Sequence, residues 1–113
     1  ASLAYPTAVK ASAYGNLLAA ALMQGNWKLV GEMMTRDLFH QPYRKPLLPH
    51  YLPFAELATA AGAYGTAISG AGPATLALLP AGKGNAFCEE VNRKLPHGKA
   101  MVVTIDSQGC RSF

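Results

Sequence analysis

Apolar positions along this chain change period near residue 62. Before that point they recur at three- and four-residue intervals; after it they come in short runs broken by glycine. Residues 7–24 are dominated by alanine and leucine, and Val9, Ala13, Leu17, Ala20 and Ala21 fall at helical spacing, which predicts a first helix. Gly25 fits its C-terminal cap and Asn26 the N-cap of a second helix running from Trp27 to about Leu38. That helix carries Trp27, Val30, Met34 and Leu38 on one stripe, read as core-facing. Pro42, Pro46, Pro49 and Pro53 each remove a donor and push the preceding residue toward extended geometry, so the stretch between them is expected to be a loop without regular structure. Pro53 can open a third helix with Phe54, Leu57, Ala58 and Ala61 inward and Gly62 at its end.

Beyond Gly62, residues 65–69 and 74–79 read as strands joined by a glycine corner. Asn85 to Leu95 reads as a helix with Phe87, Cys88, Val91 and Leu95 on one face, and Ala100 to Ile105 as a further strand. One more strand in front would complete β-α-β-β-α-β, the ferredoxin-like split βαβ unit. The expectation is therefore an α+β sandwich probed through one 113-residue domain, short of its first strand, whose three-stranded sheet keeps an open edge.

Composition narrows the class. Half the residues are hydrophobic and 14% are charged, too apolar for disorder and enough for a packed core, while 113 residues allow one domain at most. No apolar run reaches the ~20 residues that span a bilayer. Leu17 to Met23 behind Lys10 imitates a signal-peptide core, but an alanine-rich helix explains it better, since Gln24-Gly25-Asn26 makes a poor cleavage site. The net charge of +4 is dispersed, without basic runs interleaved with aromatics, which argues against nucleic-acid binding and suits a protein handling phosphates and carboxylates. Cys88 and Cys110 lack metal-site spacing and form no disulfide framework, so reduced cytosolic thiols are expected.

Two segments carry candidate chemistry. Gly65-Thr66-Ala67-Ile68-Ser69-Gly70-Ala71-Gly72-Pro73 runs a strand into a Gly-x-Gly-Pro corner, where small residues can bring backbone N–H groups close to an anion or a neighbouring loop. About 25 residues upstream stands His40-Gln41-Pro42-Tyr43-Arg44-Lys45-Pro46-Leu47-Leu48-Pro49. Arg44 offers a planar fork of donors that matches a carboxylate bidentately; the competing reading is a surface arginine, or one paired with a glutamate such as Glu56. His40 has no second ligand-type residue at metal spacing on its element, with His50 and His97 in proline-rich loops, and is read as a residue that packs the loop or supports the site from behind. Glu32, Asp37, Glu56, Glu89, Glu90 and Asp106 are scattered and offer no magnesium pair; Glu89-Glu90 before Arg93-Lys94 reads as helix-face pairing. No Gly-x-x-x-x-Gly-Lys phosphate loop is present.

Together the Pro-Tyr-Arg segment and the glycine corner resemble the carboxy-terminal domain of the homoserine kinase family, within the GHMP small-molecule kinase superfamily, over nearly the whole chain. The resemblance implies a parent enzyme, lacking its amino-terminal half here, that moves the γ-phosphoryl of ATP to the side-chain hydroxyl of L-homoserine with Mg2+, in the cytoplasm, on the route to threonine. It implies that Arg44 binds the substrate α-carboxylate. It also implies that Ser69, Gly70, Ala71 and Gly72 lie against the phosphate-binding loop of the amino-terminal domain. The family's Gly-Ser-Gly-Pro-Ser/Thr reads Gly70-Ala71-Gly72-Pro73-Ala74 here, which removes two hydroxyls and leaves backbone contacts. The Gly-Leu-Gly-Ser-Ser loop and the Ser-Thr-x-x-Ala-Arg segment of the family are absent, so this chain alone is expected to be inactive, with ATP and Mg2+ held mainly by the missing domain. A homodimer stays open. The alternative is a stand-alone ferredoxin-like module that binds an amino acid or dimerises through its sheet edge, without catalysis.

Overall fold

The computed structural model describes residues 2–112. Its elements, in chain order, are α1 (Tyr5–Met23), α2 (Trp27–Thr35), α3 (Gln41–Arg44), a 3₁₀ turn (Lys45–Leu47), α4 (Tyr51–Ala60), β1 (Gly65–Ile68), β2 (Thr75–Leu78) and α5 (Gly84–Lys94). The architecture is α+β, with helices packed around a two-stranded antiparallel sheet.

Local chemistry explains most boundaries. Pro6 sits in the first turn of α1, where a missing N–H costs nothing. The helix closes in a Schellman motif: Gly25 takes φ +66°, its amide donates to Leu22 O and that of Asn26 to Ala21 O. Asn26 then caps α2, its Oδ1 accepting from Leu29 N at 3.2 Å. A second Schellman closure ends α4, with Gly62 at φ +82° and Ala63 N donating to Ala58 O.

Four expectations need correction. First, α2 stops at Thr35, not near Leu38. The Asp37 carboxylate accepts from the amides of Phe39, His40 and Gln41 at 3.1, 2.9 and 2.6 Å, offering the backbone a turn in place of further helix. Second, the proline stretch is not irregular: α3 and the 3₁₀ turn occupy it, each with its proline in the first turn, the one place where a helix tolerates that residue. By the same logic α4 starts at Tyr51, two residues ahead of Pro53. Third, the inward side of α1 is set by Ala11 and Ala21, whereas Val9 and Leu17 of the predicted stripe are exposed. Finally, Ala100 to Ile105 joins no ladder among the described residues, so the sheet has two strands and not three.

The strands pair Gly65 with Leu78, Thr66 with Ala77, Ala67 with Leu76 and Ile68 with Thr75. The register places Thr66, Ile68, Thr75 and Ala77 on one side. The core lies where α4 and α5 cover the sheet: Phe54, Ala58, Phe87 and Val91 are buried, and Leu57, Ala61, Ala77, Leu79 and Leu95 pack against them. The rings of Phe54 and Phe87 meet edge to face, centroids 5.6 Å apart at 66°. Helix α2 approaches β1 so closely that only glycine fits on both sides. A Cβ on Gly31 would strike the Tyr64 backbone, and one on Gly65 would strike that of Gly31. On α5, Glu90 pairs with both Arg93 (2.7 Å) and Lys94 (2.6 Å), while Glu89 makes no ion pair among the described residues. No helix of the structure is long and apolar enough to cross a membrane.

Candidate functional site

The proline-rich segment and the glycine corner, remote in sequence, meet in space. Beyond the last ladder pair, Ser69 N donates to Ala74 O at 2.9 Å and Gly72 N to Ser69 O at 3.1 Å, closing a tight turn over Gly70 and Ala71. Gly70 and Gly72 hold φ of +57° and +85°, which glycine adopts without strain, and the Gly72–Pro73 bond is cis. The amides of Gly70 and Ala71 make no hydrogen bond among the described residues, and nothing lies within 4 Å of where a Gly70 Cβ would stand. This side of the corner is open to another loop or an anion. The other side is closed: a Cβ on Gly72 would come within 3.1 Å of Leu48 Cδ1 and 3.6 Å of Ile68 Cγ2.

Four further hydrogen bonds hold the loop, two of them to the hairpin. His50 Nε2 donates to the Pro73 carbonyl at 2.7 Å. Gln41, buried to 3% exposure, donates from Nε2 to Met34 O at 2.6 Å and accepts from the Tyr51 hydroxyl at 3.2 Å. The same hydroxyl meets Thr66 Oγ1 at 3.1 Å. One chain of polar contacts thus joins the end of α2, α3, α4 and β1, and leaves no buried side-chain polar atom unsatisfied among the described residues. Lys45 places its ammonium 4.9 Å from the centroid of the Tyr51 ring, over the same junction.

Arg44 ends α3, half-buried, and forms no ion pair among the described residues; the pairing with Glu56 does not occur. Beside this junction opens a cleft of about 740 Å3, walled by Ser12 and Asn16 of α1, Asp37 and His40 before α3, and Ala67, Ile68 and Gly70 on the hairpin side. Of the sequence-predicted residues, the cleft takes in Gly70; Arg44 stands outside its wall, three residues past Gln41, the last residue whose amide Asp37 holds. Tyr14 also lines the cleft, flanked by the Lys10 ammonium and the Arg36 guanidinium, each 5.9 Å from its ring centroid. Arg36 is in turn held by Glu32 at 2.6 Å. Lys10 is thus the cation beside Tyr14 without a carboxylate partner among the described residues, while the Asp37 carboxylate accepts from three amides.

The partners of Gln41, His50, Tyr51 and Thr66 lie 7 to 23 residues away, so no local pattern in the sequence reveals their roles. A visible signal exists only for Ser12 and Asn16, a polar pair at i,i+4 in a mostly apolar helix. As for groups the resemblance implies, the described residues hold no cluster of three His, Cys, Asp or Glu side chains able to ligate a metal ion. The described residues alone therefore form no cage for a magnesium ion, which commonly needs only one or two carboxylates beside the phosphates of a nucleotide. The open Gly70 amide side does fit the close approach of a phosphate-bearing loop.

Comparison with known proteins gives a consistent result. The family described as GHMP kinases C terminal matches residues 18–97. Homoserine kinase of Bacillus pumilus is 49% identical over 105 residues, 93% of this chain and 34% of the relative. That of Bacillus licheniformis is 52% identical over 96 residues, 85% of this chain and 31% of the relative. Among solved structures, the homoserine kinase of Cytophaga hutchinsonii superposes with a TM-score of 0.74 at 26% identity, covering 85% of this chain and 30% of that one. A Listeria monocytogenes chain assigned as a homoserine kinase superposes with 0.73 at 31% identity, covering 91% and 34%. The chain spans about a third of the length of the relatives it matches.

Proposed function

Because this chain belongs to the GHMP kinase carboxy-terminal family, we propose that it forms the substrate-side domain of a homoserine kinase, which transfers the γ-phosphoryl of ATP to the side-chain hydroxyl of L-homoserine in threonine biosynthesis. The observation that carries this reading is the union of the Pro-Tyr-Arg loop with the glycine corner beside one cleft, in a chain about half identical to homoserine kinases. In this reading Arg44, free of any carboxylate of its own, holds the substrate α-carboxylate. Ser12, Asn16 and His40 line the neighbouring cleft, outside whose wall Arg44 stands. Ser69, Gly70, Ala71 and Gly72 present backbone, not side chains, to the nucleotide-binding loop of an amino-terminal partner domain. ATP would supply the phosphoryl group, and Mg2+ held by ligands of that partner domain would offset its charge. The enzyme works in the cytoplasm. A stand-alone binding module finds less support, since the relatives compared are named as kinases.

The test is Arg44→Ala in the full-length enzyme. Loss of a charge-assisted contact of about 2 kcal/mol lowers kcat/KM for homoserine by ~30-fold or more, through KM, and leaves the KM for ATP within about twofold. An unchanged homoserine KM refutes the role of Arg44. Absence of homoserine phosphorylation by the unaltered full-length protein refutes the function itself.

A further inference from the structure

The contact between His50 and the corner has a chemistry of its own. A carbonyl oxygen only accepts, so the 2.7 Å contact to Pro73 O fixes the hydrogen on His50 Nε2. Pro73 precedes the ladder, whose first bond in the corner is Ser69 N to Ala74 O, and no backbone amide donates to its carbonyl. His50 is thus the protein donor that holds the tip of the hairpin from outside. Its neighbours do related work: Leu48 fills the space under Gly72, and Tyr51 reaches Thr66 in β1. These three residues directly follow the short helical turns that end in Arg44 and Leu47. A link of a few residues therefore runs from Arg44 to the corner, whose Gly70 side is open.

We propose that His50 is a positioning residue that latches the Arg44 loop to the glycine corner, so that a nucleotide seated against the corner and an amino acid held by the loop bind cooperatively. The proposal rests on the functional reading above. Closure of a phosphate-bearing loop on the Gly70 side restrains the hairpin tip, and the latch passes that restraint to Arg44. Coupling of this kind is reciprocal: each ligand tightens the other by the same factor.

The experiment uses the full-length enzyme and measures the Kd of L-homoserine by calorimetry with and without saturating β,γ-imido-ATP and Mg2+. The unaltered protein is expected to bind homoserine more tightly in the presence of the analogue. One hydrogen bond supports a coupling of about threefold to tenfold. His50→Ala brings that factor to about one, while the Kd of homoserine alone changes by less than about threefold. His50→Gln, which keeps a donor, restores part of it. A coupling factor that is the same in His50→Ala and in the unaltered protein overturns the latch, and so does no coupling in either. Hydrogen exchange supplies a ligand-free measurement: the hydrogen-bonded amides of Ser69 and Gly72 exchange several-fold faster in His50→Ala, and equal protection overturns the proposal. Loss of all homoserine binding in the unaltered protein would instead strike the functional reading on which the latch depends.

Discussion

Removing a single oxygen from Tyr51 tests whether the polar chain under the Arg44 loop is as closed as its geometry implies. In Tyr51→Phe the ring stays, with its 2% exposure and the Lys45 ammonium 4.9 Å from its centroid, so packing is conserved. What disappears is a hydroxyl bonded to Gln41 Oε1 at 3.2 Å and to Thr66 Oγ1 at 3.1 Å. Gln41 keeps its bond to Met34 O, but its Oε1 loses its donor; Thr66 loses its partner as well. Both residues are nearly sealed, at 3% and 7% exposure, so water does not replace the missing group. An orphaned buried polar group costs about 1–3 kcal/mol, so two of them, with some relaxation of the threonine rotor, cost about 2–4 kcal/mol. Against a domain stability of about 5–15 kcal/mol this is a large fraction.

The assay is equilibrium urea unfolding followed by the fluorescence of Trp27, the one tryptophan of the sequence, and by circular dichroism. With a slope of about 1–3 kcal/mol per molar, the midpoint falls by roughly 1–3 M and the slope is unchanged. A midpoint shift below about 0.3 M would refute the reasoning, because it would mean that the network is wet or that its bonds are incidental. Thr66→Val in the same background sharpens the result. Two neighbours that share a bond give a double variant less destabilised than the sum of the singles, by about 1 kcal/mol.

Two other expectations follow from backbone and charge. Gly31→Ala puts a Cβ 2.6 Å from Tyr64 Cβ and closer still to the Tyr64 carbonyl, so α2 and β1 must part; the cost is about 3 kcal/mol, seen as a fall in Tm. Gly15→Ala, in the open interior of α1 with nothing within 4 Å, raises Tm by a few degrees, since alanine gains about 0.5–1 kcal/mol over glycine there. The hydrogen bonds from Lys94 and Arg93, assisted by their charges, hold the Glu90 carboxyl below its usual range. A lowered folded-state value gives stability that is present at neutral pH and disappears as pH falls through that value. Thermal scans from neutral to acidic pH should therefore show Glu90→Gln less stable at pH 7 and indistinguishable from the parent once Glu90 is protonated.

How much of this was readable depends on how local the cause is. Helix α5 was legible to within a residue or two because charged and apolar positions contrast sharply along it: Phe87 and Val91 are buried, and Glu90, Arg93 and Lys94 form its outer pairs. The hairpin was legible because a Gly-x-Gly-Pro corner between two apolar runs leaves few alternatives. The orientation of α1 was not, because that helix is apolar almost all round and any stripe drawn on it fits equally well; contact with α2 decides, and it selects Ala11 and Ala21. The proline stretch was misjudged for a different reason. Proline obstructs a helix only beyond its first turn, and here successive short turns each place one inside that turn. Of the candidate site, Arg44 and the corner were visible as motifs, whereas the Gln41, Tyr51 and Thr66 chain depends on a tertiary fold that no spacing in the sequence encodes.

The segment from Ala100 to Ile105 separates propensity from pairing most clearly. Its β-branched and apolar residues suit a strand, and its first residue is already held as one. Asn92 donates from Nδ2 to Ala100 O at 3.2 Å and accepts from Ala100 N at 2.7 Å, the reciprocal pair a neighbouring strand would make. Val102 then rests where a Cβ on Gly84 would stand, at the start of α5. Beyond these anchors nothing among the described residues pairs with the backbone, and Met101, Val103 and Ile105 are 66%, 79% and 69% exposed. Strand propensity expresses the fit of a side chain to a half-buried pleated surface, and without an adjacent strand there is no such surface to fit. The sequence pattern therefore specifies a position in a sheet while the ladder requires a neighbour, and a side-chain amide can stand in for that neighbour at one residue but not along five.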